Sequence, residues 1–244
     1  MTTSNEIRVM TSGAFTAAHL ALVPQVERLT GKTIVTVTTS VGTGDTSIAN
    51  RLKRGEIADV VIVADGLMRQ FVSDGLVLAE DATQVARSVI GMAVRAGAPK
   101  PDISSADALK RTLLQAKSIA YSASVSGQYL TTELYQRLGI ADQVLPKSKL
   151  ITGGERAGAP VARGEIEIAF QQISELLPVP GIAHITPLPP EVQKVSAFTA
   201  GVGANTTDAN AARAMIRFLA SAAASEAITR SGLEPVHGSA ISTP

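Results

Sequence analysis

The stretch IRVMTSGAFTAAHLALVPQVERLTGKTIVTVTTSVGTGDTSIANRLKRGEIADVVIVA, Ile7 to Ala64, decides the fold class. Ile7 to Met10 reads as a short strand that breaks at the polar turn Thr11-Ser12-Gly13. Phe15, Ala18, Leu22, Val26 and Leu29 then recur at helical spacing. Gly31 stops that helix, and the β-branched run Thr33 to Thr39 is a second strand. The turn Ser40-Val41-Gly42-Thr43-Gly44-Asp45 enters a helix running to about Arg54, with Gly55 as its stop. Asp59 to Ala64 is a third strand, too uniformly apolar for an exposed edge. This β-α-β-α-β order predicts parallel strands joined by right-handed crossovers.

Further along, the rhythm breaks. VARSVIGMAVR (Val85 to Arg95) and VSAFTAGVGA (Val195 to Ala204) are long extended stretches without crossover helices of their own. Between them the α/β pattern restarts. Helices are predicted near Ser105 to Gln115, Gly127 to Leu138 and Ala159 to Arg163, with strands at Ser118 to Tyr121, Lys149 to Thr152 and Ile166 to Phe170. Two helices, Asp208 to Ala222 and Ser225 to Arg230, follow the second extended stretch. The economical reading is an α/β protein with a discontinuous first lobe, residues 1–86 plus 203–244, and an inserted second lobe, residues 87–202. The two extended stretches would then be hinge crossings, with a ligand cleft between the lobes and closure by hinge motion.

Bulk composition narrows the function classes. The 244 residues carry 22 basic and 21 acidic side chains, a net charge of +1, and show no basic stripe, so nucleic acid and anionic membranes are poor partners. With 45% apolar but only 3% aromatic residues, the core must be built from Ala, Val, Leu and Ile. The absence of cysteine excludes disulfides, thiol catalysis and thiolate metal sites. His19, His184 and His237 have no metal-ligand spacing, so no metal site is expected. Met1 to Asn5 is polar and no apolar leader precedes the first strand. As it stands the sequence reads as cytoplasmic, or as periplasmic if a signal peptide has been removed. A monomer is expected.

The chemistry concentrates in three turns that follow strands and open helices: Thr11-Ser12-Gly13, Ser40 to Gly44, and Ser122-Ala123-Ser124-Val125-Ser126-Gly127. Ligands of open α/β sheets sit at the carboxyl ends of strands, where helix N-termini offer free N–H groups and partial positive charge. Thr11, Ser12, Ser40, Gly42, Thr43, Ser122, Ser124 and Ser126 are therefore candidate anion ligands. The competing reading is that these Ser and Thr residues are ordinary helix N-caps. Neither a P-loop nor a dinucleotide fingerprint is present, and no Gly-x-Ser-x-Gly elbow marks a serine hydrolase. Arg156, in a glycine-rich loop, could clamp a carboxylate bidentately or be a solvated surface arginine. Gln171 and Gln172 end a strand, where an amide could face a ligand. His19 reads first as a packed core histidine, and Asp65 as the cap of the helix after the third strand.

These residues resemble the molybdate-binding branch of the type II periplasmic binding proteins along nearly the whole chain. The resemblance lies in Thr11-Ser12-Gly13, in SVGTGDTSIANRLKRGEIADVVIVA (Ser40 to Ala64) and in VARGEIEIAFQQISELLPVPGI (Val161 to Ile182). It implies oxyanion binding by Ser12, Ser40 and Thr43, with Tyr129 and Gln171 from the second lobe. APKPDIS (Ala98 to Ser104), SIAYSASVSGQYL (Ser118 to Leu130) and SGLEPV (Ser231 to Val236) look more like the bacterial aconitate isomerases, an offshoot of the same fold. That resemblance implies cofactor-free interconversion of trans- and cis-aconitate. An allylic proton shift needs a base beside the substrate methylene and donors for the carbanion-like transition state. Candidate bases are His19, Tyr129 and Glu155. The alternative is a non-enzymatic solute-binding protein delivering an oxyanion or organic acid to an ABC permease, which requires export. A third reading, cytosolic sensing or buffering of such a ligand, is weaker. Three carboxylates call for at least one cation, and Arg156 and Arg163 are the arginines to inspect.

Overall fold

The structure, a computed structural model, describes residues 5–37, 39 and 44–240, without the side chains of 238–240. It begins with β1 (Glu6–Thr11), α1 (Gly13–Thr30), β2 (Thr33–Val37), α2 (Ile48–Lys53), β3 (Val60–Ala64), α3 (Asp65–Ser73) and β4 (Thr83–Ser88). A second set follows: β5 (Ile90–Arg95), α4 (Ala106–Gln115), β6 (Ile119–Ser122) and α5 (Val125–Tyr129). A π-helical turn, Leu130–Leu134, leads from α5 into α6 (Tyr135–Arg137) and then α7 (Ala141–Val144). After these come β7 (Ser148–Ile151), α8 (Gly158–Ala162), β8 (Ile168–Gln172), α9 (Ile173–Leu176) and β9 (Ile182–Pro187). The last set is β10 (Ser196–Val202), α10 (Ala209–Leu219), α11 (Ser225–Arg230) and β11 (Glu234–Ala240).

The chain divides into two compact units: residues up to Ser88 together with those from Ser196 onward, and Val89–Val195. The crossings fall two residues later and seven residues earlier than the sequence boundaries at 86 and 203. The reason is β10, which pairs antiparallel with both β3 and β4 and so belongs wholly to the first sheet. Extended apolar sequence alone does not distinguish a crossing segment from a sheet member.

In the first unit the sheet order is β11-β4-β10-β3-β1-β2, with β1 parallel to β2 and β3 as the alternating pattern predicts. β3 explains its own sequence. Val60 and Ile62 face the cluster formed with α1, α10 and α11, whereas Val61 and Val63 face the one formed with α2 and α3. All four are fully buried, so a polar residue would be out of place on either face. Burying each such side chain contributes roughly 1.5–3 kcal/mol.

The second sheet runs β7-β6-β8-β5-β9, with β6 parallel to β7 and β8, and β5 antiparallel to β8 and β9. Its two faces differ. Large residues (Ile90, Met92, Ile168 and Phe170) meet α4 to α7 on one side. On the other, Ala93, Ala120 and Ala169 face α8 and α9. Small side chains there allow α8 to lie close to the sheet, and Gly158 at its start already has Val179 and Ile182 within contact distance of where a Cβ would stand. This close seat fixes the loop before α8, which carries Arg156. Among the described residues no helix is long and apolar enough to cross a membrane.

Candidate functional site

In the first unit, β1 delivers Ser12 to the start of α1. Its amide donates to the Ile62 carbonyl at 2.9 Å, continuing the ladder, and its own carbonyl accepts from the Phe15 amide and the Thr16 hydroxyl. The Ser12 side chain makes no cap bond, and its buried Oγ has no hydrogen-bond partner among the described residues. Thr11 is also buried, but its hydroxyl donates to the Ser12 carbonyl at 3.2 Å and is committed there. Ser40, Gly42 and Thr43 lie outside the described residues.

The second unit gathers more. The register sets Ile151 of β7 beside Ser122 of β6, and Tyr121 beside Phe170 of β8. The segments beyond Ser122, Ile151 and Phe170 therefore leave the sheet at one end. Ser122, Ser124 and Ser126 form a hydroxyl chain, Oγ to Oγ at 2.8 Å and 2.9 Å. Ser124 stands at the N-cap of α5 without capping it. Gly127 permits this turn: a Cβ there would lie 1.8 Å from the Ser122 carbonyl oxygen.

Beside this turn, the buried Gln171 accepts from the Ala157 amide at 2.8 Å and hydrogen-bonds Glu175 of α9. Burial pushes the Glu175 carboxyl up to about 7, against the downward pull of the Arg156 charge and the Gln171 bond. Arg156 is half-buried, and its guanidinium makes no ion pair or hydrogen bond among the described residues. A cation in the loop before α8, with no ion pair or hydrogen bond among the described residues, is suited to a carboxylate.

Other sequence candidates sit elsewhere. His19 is 1% exposed, its Nε2 is 2.8 Å from the Thr36 hydroxyl, and burial lowers its pKa to about 4. It is a packed neutral histidine bonded to β2. Tyr129 is buried in the helical face of the second core. Its hydroxyl donates to the Val192 carbonyl at 2.7 Å and accepts from Arg137 at 3.1 Å, which leaves it no freedom to act as base or ligand donor. Glu155 is exposed and paired with Arg163 at 2.6 Å, while Arg163 also holds Glu165 at 2.7 Å. That arginine is therefore neutralised on the surface. Asp65 does not cap α3. It is the helix's first residue, accepts from Thr199 at 2.7 Å and pairs with Arg69. Among the described residues no three His, Asp or Glu side chains gather as metal ligands would.

Sequence reading passed over Glu175. The available signal was its spacing four residues after Gln171, which returns an acid to the strand-end glutamine.

The family model for bacterial extracellular solute-binding proteins matches residues 7–234. The aconitate isomerase of a Pseudomonas species is 40% identical over 231 residues, 94% of this chain and 88% of that protein. Among solved structures, the periplasmic molybdate-binding protein of Azotobacter vinelandii superposes with a TM-score of 0.71 at 17% identity, covering 93% of this chain and 98% of that one. The sulfate-binding protein SubI of Mycobacterium tuberculosis gives 0.70 at 18% identity, covering 95% and 87%. At such identities these structures establish the two-lobed periplasmic-binding-protein fold. The full-length family match establishes membership: the chain belongs to the bacterial extracellular solute-binding proteins.

Proposed function

We propose that this protein interconverts trans- and cis-aconitate by an allylic proton shift, without a cofactor. The observation that carries the reading is the 40% identity to an aconitate isomerase across 94% of the chain. The second unit's chemistry supports it. Arg156, whose guanidinium makes no ion pair or hydrogen bond among the described residues, offers it to one carboxylate, and the Ser122-Ser124-Ser126 chain offers hydroxyls that reorient to donate. The first unit has chemistry of its own for an anion, a buried Ser12 Oγ without a partner among the described residues at the N-terminus of α1.

The reaction removes a proton from the substrate methylene. The freed pair forms the new C=C, and the old π pair moves toward the far carbon, where the adjacent carboxylate spreads its charge. That carbon then takes a proton. No electron is gained or lost overall, so the chain needs a base, donors and a carboxylate clamp.

Family membership favours a second reading, a binding protein that hands an oxyanion or organic acid to an ABC permease. Neutral donors suffice for molybdate or sulfate, whereas the half-buried Arg156, with no ion pair among the described residues, fits a carboxylate better. Adding trans-aconitate to purified protein and following ultraviolet absorbance separates the two. The isomerase reading expects cis-aconitate to appear at a rate proportional to protein. No turnover, with molybdate or tungstate raising the melting temperature, would overturn it.

A further inference from the structure

All three bases read from the sequence are otherwise occupied. His19 is enclosed against Thr36, the Tyr129 hydroxyl is held by Val192 and Arg137, and Glu155 is salt-bridged at the surface. Among the described residues one further carboxyl, that of Glu175, lies at the end of the second sheet with the hydroxyl turn and Arg156. Glu175 leaves β8 on α9, four residues beyond Gln171, and Gln171 is itself pinned by the Ala157 amide next to Arg156. We propose that Glu175 is the base that carries the proton between the two carbons of the substrate. The proposal rests on the isomerase reading above.

The physical case has three parts. First, Glu175 is 7% exposed, so its carboxylate is poorly hydrated and correspondingly reactive toward a carbon acid. Second, burial lifts its pKa to about 7, where both protonation states are populated near neutrality. Third, the opposing charge is Arg156, the group that would bind a substrate carboxylate. A carboxylate on Arg156 would weaken that arginine's hold on the Glu175 anion and raise its basicity when substrate is present. Adjacent Ser174 is 1% exposed, with an Oγ that has no partner among the described residues, a second buried polar group at the same place.

Few other charges complicate the titration. α9 packs on β5, β8 and β9. From β5 the charged residue is Arg95, at the far end beside Gly164. From β9 it is His184, which is exposed, and β8 contributes none. In the step, the Glu175 carboxylate takes a methylene proton and becomes the carboxylic acid. The C–H pair becomes the new double bond, and the displaced π pair develops on the far carbon. Glu175 then returns its proton there, so the residue ends as it began.

The test is Glu175→Gln, which keeps size and hydrogen-bonding capacity but cannot accept the proton. We expect turnover of trans-aconitate to fall by about 10²–10⁴-fold, the usual worth of a general base. Calorimetric Kd for trans-aconitate should stay within about threefold of wild type, because binding and chemistry separate here. A variant that keeps more than about a tenth of wild-type kcat overturns the proposal. So does a loss of affinity as large as the loss of rate, which would make Glu175 a binding group. If the variant does not fold, the wild-type pH profile decides. A kcat/KM limb rising through about pH 7 supports the proposal, and a flat profile from about pH 6 to 8 overturns it. Wild-type protein that binds trans-aconitate without converting it overturns the isomerase reading and this inference with it.

Discussion

The turn after β1 and the turn after β6 stand at equivalent places in their units, yet they hold their hydroxyls differently. Ser12 stands by itself: its Oγ is buried and has no hydrogen-bond partner among the described residues. Ser122, Ser124 and Ser126 satisfy one another in a chain. Both contrast with Ser47, Ser105 and Asp208, also at helix starts, whose side chains accept from the amides of Asn50, Ala108 and Ala211 at 3.2, 3.1 and 3.0 Å. The ordinary caps follow the preference of Ser and Asp for that position. Ser12 and Ser124 forgo the same bond, and a buried hydroxyl left unpaired costs about 1–3 kcal/mol. A fold tolerates such a cost most readily where a ligand removes it. The first unit thus presents an unsatisfied donor, whereas the second presents a preorganised one at the same end of its sheet as Arg156.

The largest expected effect comes from the residue that makes the second turn possible. Gly127→Ala would drive a Cβ into the Ser122 carbonyl, so the turn must open. We expect destabilisation of about 3 kcal/mol or more in urea unfolding, with loss of anion binding. Unchanged stability would mean that the turn is not fixed as described.

Next come two buried groups, His19 in one unit and Glu175 in the other, whose pH effects have opposite sign. His19 has its folded pKa lowered to about 4. Its contribution is present above the ordinary histidine value and is lost as pH falls toward 4, because the unfolded chain binds a proton that the folded one refuses. Glu175 has its folded pKa raised to about 7. Its contribution is present below the ordinary glutamate value and is lost as pH rises to 7. Each is worth at most about 3 kcal/mol. Relative to wild type, His19→Gln should lose less stability on acidification below about pH 6, and Glu175→Gln should be the more stable protein above about pH 7. Parallel unfolding curves at every pH would contradict both.

Arg156→Gln should weaken tricarboxylate binding by about 1.5–3 kcal/mol, the scale of hydrogen bonds to a charged group, while Arg163→Gln leaves it unchanged. Equal losses in calorimetry would contradict the assignment of Arg163 to the surface. The smallest effects separate the two turns most sharply. Ser12→Ala and Ser124→Ala should each weaken ligand binding by about 1–2 kcal/mol. Without ligand, Ser12→Ala should be as stable as wild type or more so, because it removes an unpaired group. Ser124→Ala should be less stable, because it strands Ser122 and Ser126. The same sign for both in thermal melts would erase the distinction between the turns.

Much of the scaffold is legible from local pattern. β1, β2 and β3 announce themselves as apolar or β-branched runs, and Gly31 and Gly55 mark where α1 and α2 end. β9 does not: it is an edge strand, only half-buried, and His184 takes a left-handed φ of 53° within it. β11 hides for a related reason, being an edge with a proline and a register shift. The site was legible as a set of turns but not as a set of contacts. A serine that caps and a serine that does not are the same letter, and only the packed helix start separates Ser47 from Ser12. Glu175 drew no reading at all: its spacing from Gln171 hints at a contact, but its burial depends on α9 lying directly over β5, where a Cβ on Gly91 would come within 2.7 Å of Ile173.

Carbon labelling tests the proton shift itself. Purified protein would be given trans-aconitate labelled with ¹³C at the methylene carbon, and the product followed by NMR. An allylic shift predicts cis-aconitate with the label at its vinylic carbon. Label remaining at a methylene carbon of the product, or recovered only in unchanged trans-aconitate, would contradict it.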